Sequence, residues 1–195
     1  DVGQGLSVVI ETAQHVLIYD TGMSSASGFS ISDSVLKPFL AHRNIKQIDR
    51  LIISHNDNDH AGGLQQLLAS TPVKQLILSE PVEHHINTHL TYCQREMSWV
   101  WGQVKFDVLH PPPAWQSDSN NRSCVLRVTH PNGSVLLTGD IEHQVETLLV
   151  TAYGEQLRSD VLIVPHHGSR SSSSVEFLST VQATYAIVSA GIADR

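Results

Sequence analysis

Leu51-Ile52-Ile53-Ser54-His55-Asn56-Asp57-Asn58-Asp59-His60-Ala61-Gly62-Gly63 runs from a short apolar stretch into a dense group of imidazoles and carboxylates. The apolar triplet has the character of a strand, and the paired glycines open a helix-period segment, so the polar residues fall in a loop at a strand end. Four side chains able to ligate a metal, His55, Asp57, Asp59 and His60, lie within six residues. Imidazole and carboxylate are donors that zinc and manganese accept, and their alternation lets two pairs of groups reach two neighbouring ions. A solvated surface loop has no need of two histidines in this register.

On either side, short apolar stretches rich in β-branched residues predict strands over 6–10, 16–19, 50–53, 75–78, 105–109, 124–128, 134–137, 161–164 and 185–188. Helix-period segments lie at 31–41, 62–69, 142–153 and 174–180. The turn Pro131-Asn132-Gly133 makes 124–137 an antiparallel hairpin, which argues against an all-parallel sheet. The expected class is α/β: a four-layer αββα sandwich of two mixed β-sheets with helices outside. Two polar loops, 23–29 and 111–122, either flank a site or serve as surface connections.

With 195 residues and 41 % hydrophobic content, the chain fits one domain, 1–195, with its own core. No apolar run approaches the roughly 18 residues of a membrane span. The chain opens on Asp1 without a basic-then-apolar leader and reads as an excerpt of a longer polypeptide. A net charge of −7 argues against a broad basic nucleic-acid surface. It leaves a nuclease open, because two divalent cations among the carboxylates add about four positive charges locally. Cys93 and Cys124 form no CxxC pattern; they read as packing residues, the alternative being a single disulfide in an oxidising compartment.

The ligand loop resembles the HxHxDH signature of the metallo-β-lactamase superfamily, with Asp57 standing where the second histidine usually is. Asp20 in IYDTG matches that pattern's early aspartate, which supports the ligand loop. Asp140 in VLLTGD matches its bridging aspartate, and His166 or His167 in LIVPHHGS its downstream histidine. Each has a plainer alternative: a turn residue, a helix N-cap, a hydrogen-bonded surface pair. The superfamily's usual middle histidine has no counterpart in Asn120–Leu126. His110 and His130 lie nearby, and Asn121, Ser123 or water are the other groups able to complete the first site.

Taken together, DVGQG, IYDTG, SHxDxDHAGG, NNRSCVLRV, LLTGDIE and VPHHGSRSSSS resemble, over nearly the whole chain, the C-terminal hydrolase domain of the ComEC family of DNA-uptake channel proteins of natural transformation. The resemblance implies a soluble domain of a bacterial inner-membrane protein that degrades the DNA strand not imported; it leaves the side of the membrane open and favours the extracytoplasmic one. Its partners would be single-stranded DNA and the channel domains of the same parent chain. Two departures stand out. Leu6 replaces an acidic or small residue, and the family pattern continues past Ser189-Ala190-Gly191 to another histidine, so that a C-terminal segment would be missing here.

By that resemblance His55 and Asp57 hold one divalent ion, Asp59 and His60 with His166 or His167 hold a second, and Asp140 touches both. The candidate catalytic residues are Asp59, His166 and His167, the histidine that is not a ligand serving the leaving oxygen. Arg170, Ser169, Asn121 and Ser123 are the candidate substrate contacts, with Arg122, Arg127 and Arg158 as further arginines. Trp99, Trp101 and Trp115 either stack bases or pack in the core. Three carboxylates against three imidazoles form a harder set than the zinc β-lactamases have, which favours manganese over zinc. The competing readings are a metallo-hydrolase of small esters, lactones or thioesters, and a degenerate module that binds DNA or a partner without catalysis.

Overall fold

β-Branched runs form strands wherever the sequence expects them, and two short strands appear where it does not. The computed structural model describes residues 4–82 and 86–191, so Asp1-Val2-Gly3 of the opening motif lie outside the described residues. The chain divides into two compact units, residues 1–92 with 190–195, and residues 93–189.

In the first unit, β1 (Val8–Glu11) and β2 (Val16–Tyr19) pair antiparallel. β3 (Ile48–Ile53), β4 (Val73–Leu78) and β5 (His89–Tyr92) continue parallel to β2, giving a mixed five-stranded sheet in sequential order. Parallel neighbours need crossovers, and helices supply them. The first crossover begins with a wide π-type turn over Ser32–Leu36 and runs into α1 (Lys37–His42). Lys37 N–H reaches back five residues to the Ser32 carbonyl. Pro38, the next residue, has no N–H to continue an ordinary ladder, which gives the wide turn its physical reason. The second crossover carries α2 (Asn58–Ala61) and α3 (Leu64–Ser70). Leu36, Leu40, Leu64 and Leu67 pack on Ile18, Leu51 and Ile53 of the sheet. Each such side chain contributes about 1.5–3 kcal/mol on burial.

In the second unit, β6 (Ser98–Trp101), β7 (Val104–His110), β8 (Val125–His130) and β9 (Gly133–Leu137) form an antiparallel run. β10 (Val161–Ile163) and β11 (Tyr185–Ile187) join it in parallel, in the order β11-β10-β9-β8-β7-β6. The hairpin expected at 124–137 is β8–β9. α4 (His143–Tyr153) and α5 (Val175–Val181) bury Val145, Leu149, Phe177 and Val181 against Val125, Leu136 and Leu162.

The reading of the two cysteines as mere packing residues is corrected: Cys93 and Cys124 form a disulfide. The tryptophans, each half-buried, make packing contacts within the second unit. Trp99 stacks on Phe106 at 4.9 Å, Trp101 meets Phe106 edge-on, and Trp115 donates its indole N–H to the Asn121 carbonyl. Among the described residues, no helix is long and apolar enough to cross a membrane.

Candidate metal centre

β3 ends at Ile53 and delivers Ser54 and His55, both fully buried, directly beside the end of β2, where Asp20 sits. Asp20 adopts a left-handed backbone (φ 62°), a conformation that aspartate tolerates better than most residues. Its carboxylate is completely buried and fully used. Oδ1 accepts from Ser54 N–H at 2.6 Å, and Oδ2 accepts from Ser54 Oγ–H and from His60 Nδ1–H, both at 2.7 Å. Because Ser54 Oγ gives its proton to Asp20, it accepts from His55 Nδ1 at 3.0 Å. One carboxylate thus fixes the tautomer of two imidazoles, and in both Nε2 is the ring nitrogen without a proton.

Those two nitrogens face carboxylates. His55 Nε2 lies 3.7 Å from Asp57 Oδ2, and His60 Nε2 lies 3.9 Å from Asp59 Oδ2. Ligands of one tetrahedral ion with bonds of about 2.1 Å stand roughly 3.4 Å apart, so these spacings suit a shared ion after small adjustments. The glycines after His60 let α2 and α3 approach the neighbouring chain. A Cβ on Gly62 would stand 2.5 Å from Ser24 N, and one on Gly63 would stand 2.6 Å from the Thr21 carbonyl. The residue after the opening glycines also braces this loop: Leu6 N–H donates to the Asp59 carbonyl at 3.0 Å, and Gly22 N–H donates to the Leu6 carbonyl at 2.9 Å. The polar loop 23–29 touches it as well, through Asn58 Nδ2–H to the Ser24 carbonyl at 2.9 Å.

The second unit presents its own donors. Asp140 follows β9, and its backbone N–H is held by Ser123 Oγ at 3.0 Å. His167 donates Nδ1–H to the Ser189 carbonyl at 2.6 Å, which turns Nε2 towards Asp140 Oδ2, 3.5 Å away. The structure thereby separates the two adjacent histidines. His166 points elsewhere, with Nδ1 3.1 Å from Ser171 Oγ and 3.5 Å from Glu142 Oε1. Asp59 with His60, and Asp140 with His167, each bring ligand atoms within 4.8 Å of one another. Three imidazoles with Nδ1 spent on an acceptor and Nε2 turned to a carboxylate fit divalent cations.

The candidate substrate residues differ in what they touch. Asn121 is buried, its Oδ1 accepting from Glu142 N–H at 3.0 Å and its Nδ2 reaching Glu142 Oε2 at 3.3 Å. Ser123 supports Asp140. Ser169 meets Ser171 Oγ at 3.2 Å, and Arg170 is exposed in the same loop. His110 is buried in β7 and donates Nδ1–H to the Ser123 carbonyl at 3.0 Å, so it braces the residue that holds Asp140. Burial pushes its imidazole down to about 4, with Arg95 nearby adding to the effect and the Ser123 bond opposing it. Its Nε2 is buried without a hydrogen-bond partner. His130 accepts from Asn132 N–H in the hairpin turn. Sequence reasoning passed over Glu142 and Glu146, two carboxylates of α4 and its cap, because helical glutamates ordinarily face water.

A family model of the metallo-β-lactamase superfamily matches residues 1–192. The chain is 38 % identical over 194 residues to Competence protein ComA of Neisseria gonorrhoeae, covering 100 % of this chain and 27 % of that protein. It is also 38 % identical over 191 residues to Recombination protein 2 of Haemophilus influenzae, covering 98 % of this chain and 24 % of that one. Among solved structures, the metallo-β-lactamase fold protein YhfI from Bacillus subtilis matches with a TM-score of 0.59 at 16 % identity, over 98 % of this chain and 81 % of its own. The chain belongs to the metallo-β-lactamase superfamily, and its two mixed sheets with helices have that α/β fold. The fold implies divalent metal ions. The chain spans about a quarter of the length of the curated relatives it matches.

Proposed function

We propose that this chain is a metal-dependent phosphodiesterase that hydrolyses DNA, serving to degrade the strand not imported during natural transformation. The observation that carries the metal reading is the set of three buried or nearly buried imidazoles, His55, His60 and His167, each tied through Nδ1 and each presenting Nε2 to a carboxylate. The names of the relatives, a competence protein and a recombination protein, support DNA as the substrate class. His55 and Asp57 would serve one cation and Asp59 and His60 another, Asp140 with His167 would offer a further donor pair in the second unit, and so hard a donor mixture favours manganese over zinc. Bound divalent cations supply charge neutralisation for phosphodiester hydrolysis and a nucleophile at neutral pH.

The chain's own residues do the rest. Asp20 and Ser54 fix imidazole orientation, and Ser123 fixes Asp140. His166, whose Nδ1 lies 3.1 Å from Ser171 Oγ, is the proposed donor to a leaving oxygen. Arg170 and Ser169 are the proposed phosphate contacts. The Cys93–Cys124 disulfide supports an extracytoplasmic placement beside the channel domains of a longer parent, since such bonds persist in oxidising compartments.

The test is turnover of bis(p-nitrophenyl) phosphate and of single-stranded DNA with Mn²⁺ and with Zn²⁺, set beside a panel of lactones and thioesters and accompanied by elemental analysis. Manganese-dependent cleavage of the phosphodiesters is expected. Lactone or thioester cleavage without phosphodiester turnover would move the chain to the small-ester branch. DNA retention with fewer than one ion per chain would make it a binding module.

A further inference from the structure

Glu146 sits in the first half of α4 and is completely buried. A buried carboxylate persists only where its oxygens are hydrogen-bonded. Here they accept from two consecutive backbone amides: Oε1 from Ser173 N–H, and Oε2 from Ser174 N–H at 2.8 Å. These residues close the loop that begins at Pro165 and carries both histidines of PHHGS.

That loop has an unusual backbone. His166 (φ 49°, ψ 43°) and His167 (φ 52°, ψ 22°) are both left-handed, and so is Ser173 (φ 63°). Residues with a Cβ hold this conformation only where the surroundings over-determine it. The serine tract provides part of that. Ser172 Oγ–H is shared between the Pro165 carbonyl at 2.9 Å and the Ser169 carbonyl at 3.0 Å, closing the loop on itself. The remainder comes from α4, whose first residue gives His143 N–H to the Ser171 carbonyl at 3.0 Å and whose Glu146, one turn later, grips the amides of Ser173 and Ser174.

We infer that Glu146 is a positioning residue for metal binding: its buried carboxylate clamps the end of the PHHGS loop and so holds His167 in the backbone conformation from which Nε2 faces Asp140. The inference rests on the metal reading above. Glu146 touches neither ligand, and its effect passes entirely through backbone amides.

Glu146→Gln preserves the shape but sets an amide N–H against a backbone N–H. Val150→Ala, further along α4, removes packing in the second unit's core and leaves the loop bonds intact. Calorimetric titration with Mn²⁺ and with Zn²⁺, well below the Tm of each metal-free protein, compares these variants with the wild-type chain, and the Mn²⁺ electron paramagnetic resonance spectrum reports ligand geometry. E146Q is expected to weaken binding about tenfold or more and to alter the spectrum, the scale seen when a group that orients a ligand is lost. V150A is expected to lower Tm and bind as wild type does. Wild-type affinity in E146Q, or an equal loss in V150A, overturns the role of Glu146. Should E146Q fail to fold, Glu146→Asp, which keeps the charge but is one methylene shorter in its reach to the Ser173 and Ser174 amides, takes its place, with the same loss expected and the same overturning result. A wild-type chain that takes up neither ion sinks the metal reading itself, and this inference with it, whereas tight wild-type binding with an unaffected E146Q sinks the inference alone.

Discussion

In the first unit the candidate ligand imidazoles are held by side chains: Asp20 grips His60 directly and His55 through Ser54, and the backbone of both histidines comes straight off a strand and a short helix. In the second unit His167 is held by backbone. Its Nδ1–H goes to a main-chain carbonyl, its φ is left-handed, and the groups that fix it act through amides. The first arrangement concentrates its dependence on one carboxylate, whereas the second spreads it over a serine tract, a helix cap and Glu146. Single substitutions should therefore damage the first loop more sharply than the second.

Asp20→Ala is the strongest way to break that contrast. It strips the acceptor from Ser54 N–H, Ser54 O–H and His60 Nδ1–H, all buried, and should cost about 3–5 kcal/mol in denaturant unfolding while lowering metal affinity. A loss under about 1 kcal/mol would mean that the first loop is not built on one carboxylate.

His110 sharpens the second half through pH. Its folded value of about 4 lies below the roughly 6.5 of an unfolded histidine, so its contribution is present above the unfolded value and is lost as pH falls towards 4. Stability should drop by on the order of 3 kcal/mol across that window. The same titration of His110→Gln, measured by urea unfolding at several pH values, should be visibly flatter there. Parallel curves would show that other groups carry the acid sensitivity.

Gly62→Ala tests the close approach behind the first loop. Its Cβ would meet backbone at 2.5 Å, which should cost about 2–3 kcal/mol in thermal or urea unfolding. The smallest effect is expected from Ser174→Ala, which removes the hydroxyl that caps α5 through Phe177 N–H; about 1 kcal/mol is the usual scale for a lost cap.

The strands and the first ligand loop were legible because each is written locally: Leu51–Ile53 and Val161–Ile163 are β-branched or apolar runs, and four donors crowd six positions. β5 (HLTY) and β6 (SWVW) escaped because short edge strands mix exposed and half-buried residues without an apolar run. The helix over 31–41 was recognisable by period, but the wide turn ahead of Pro38 depends on where one missing N–H falls in a ladder. Which of His166 and His167 faces Asp140 follows from two left-handed residues that no composition signal marks. Glu146 was hidden for the same reason, since its partners are backbone amides 27 and 28 residues away.

The bond between Cys93 and Cys124 joins positions 31 residues apart, and the second of them directly follows the serine that steadies Asp140. A preparation made where thioredoxin and glutathione keep sulfur reduced would therefore carry two thiols at that spot, and its metal uptake should be compared with protein secreted through an oxidising envelope before any weak activity is ascribed to the sequence itself.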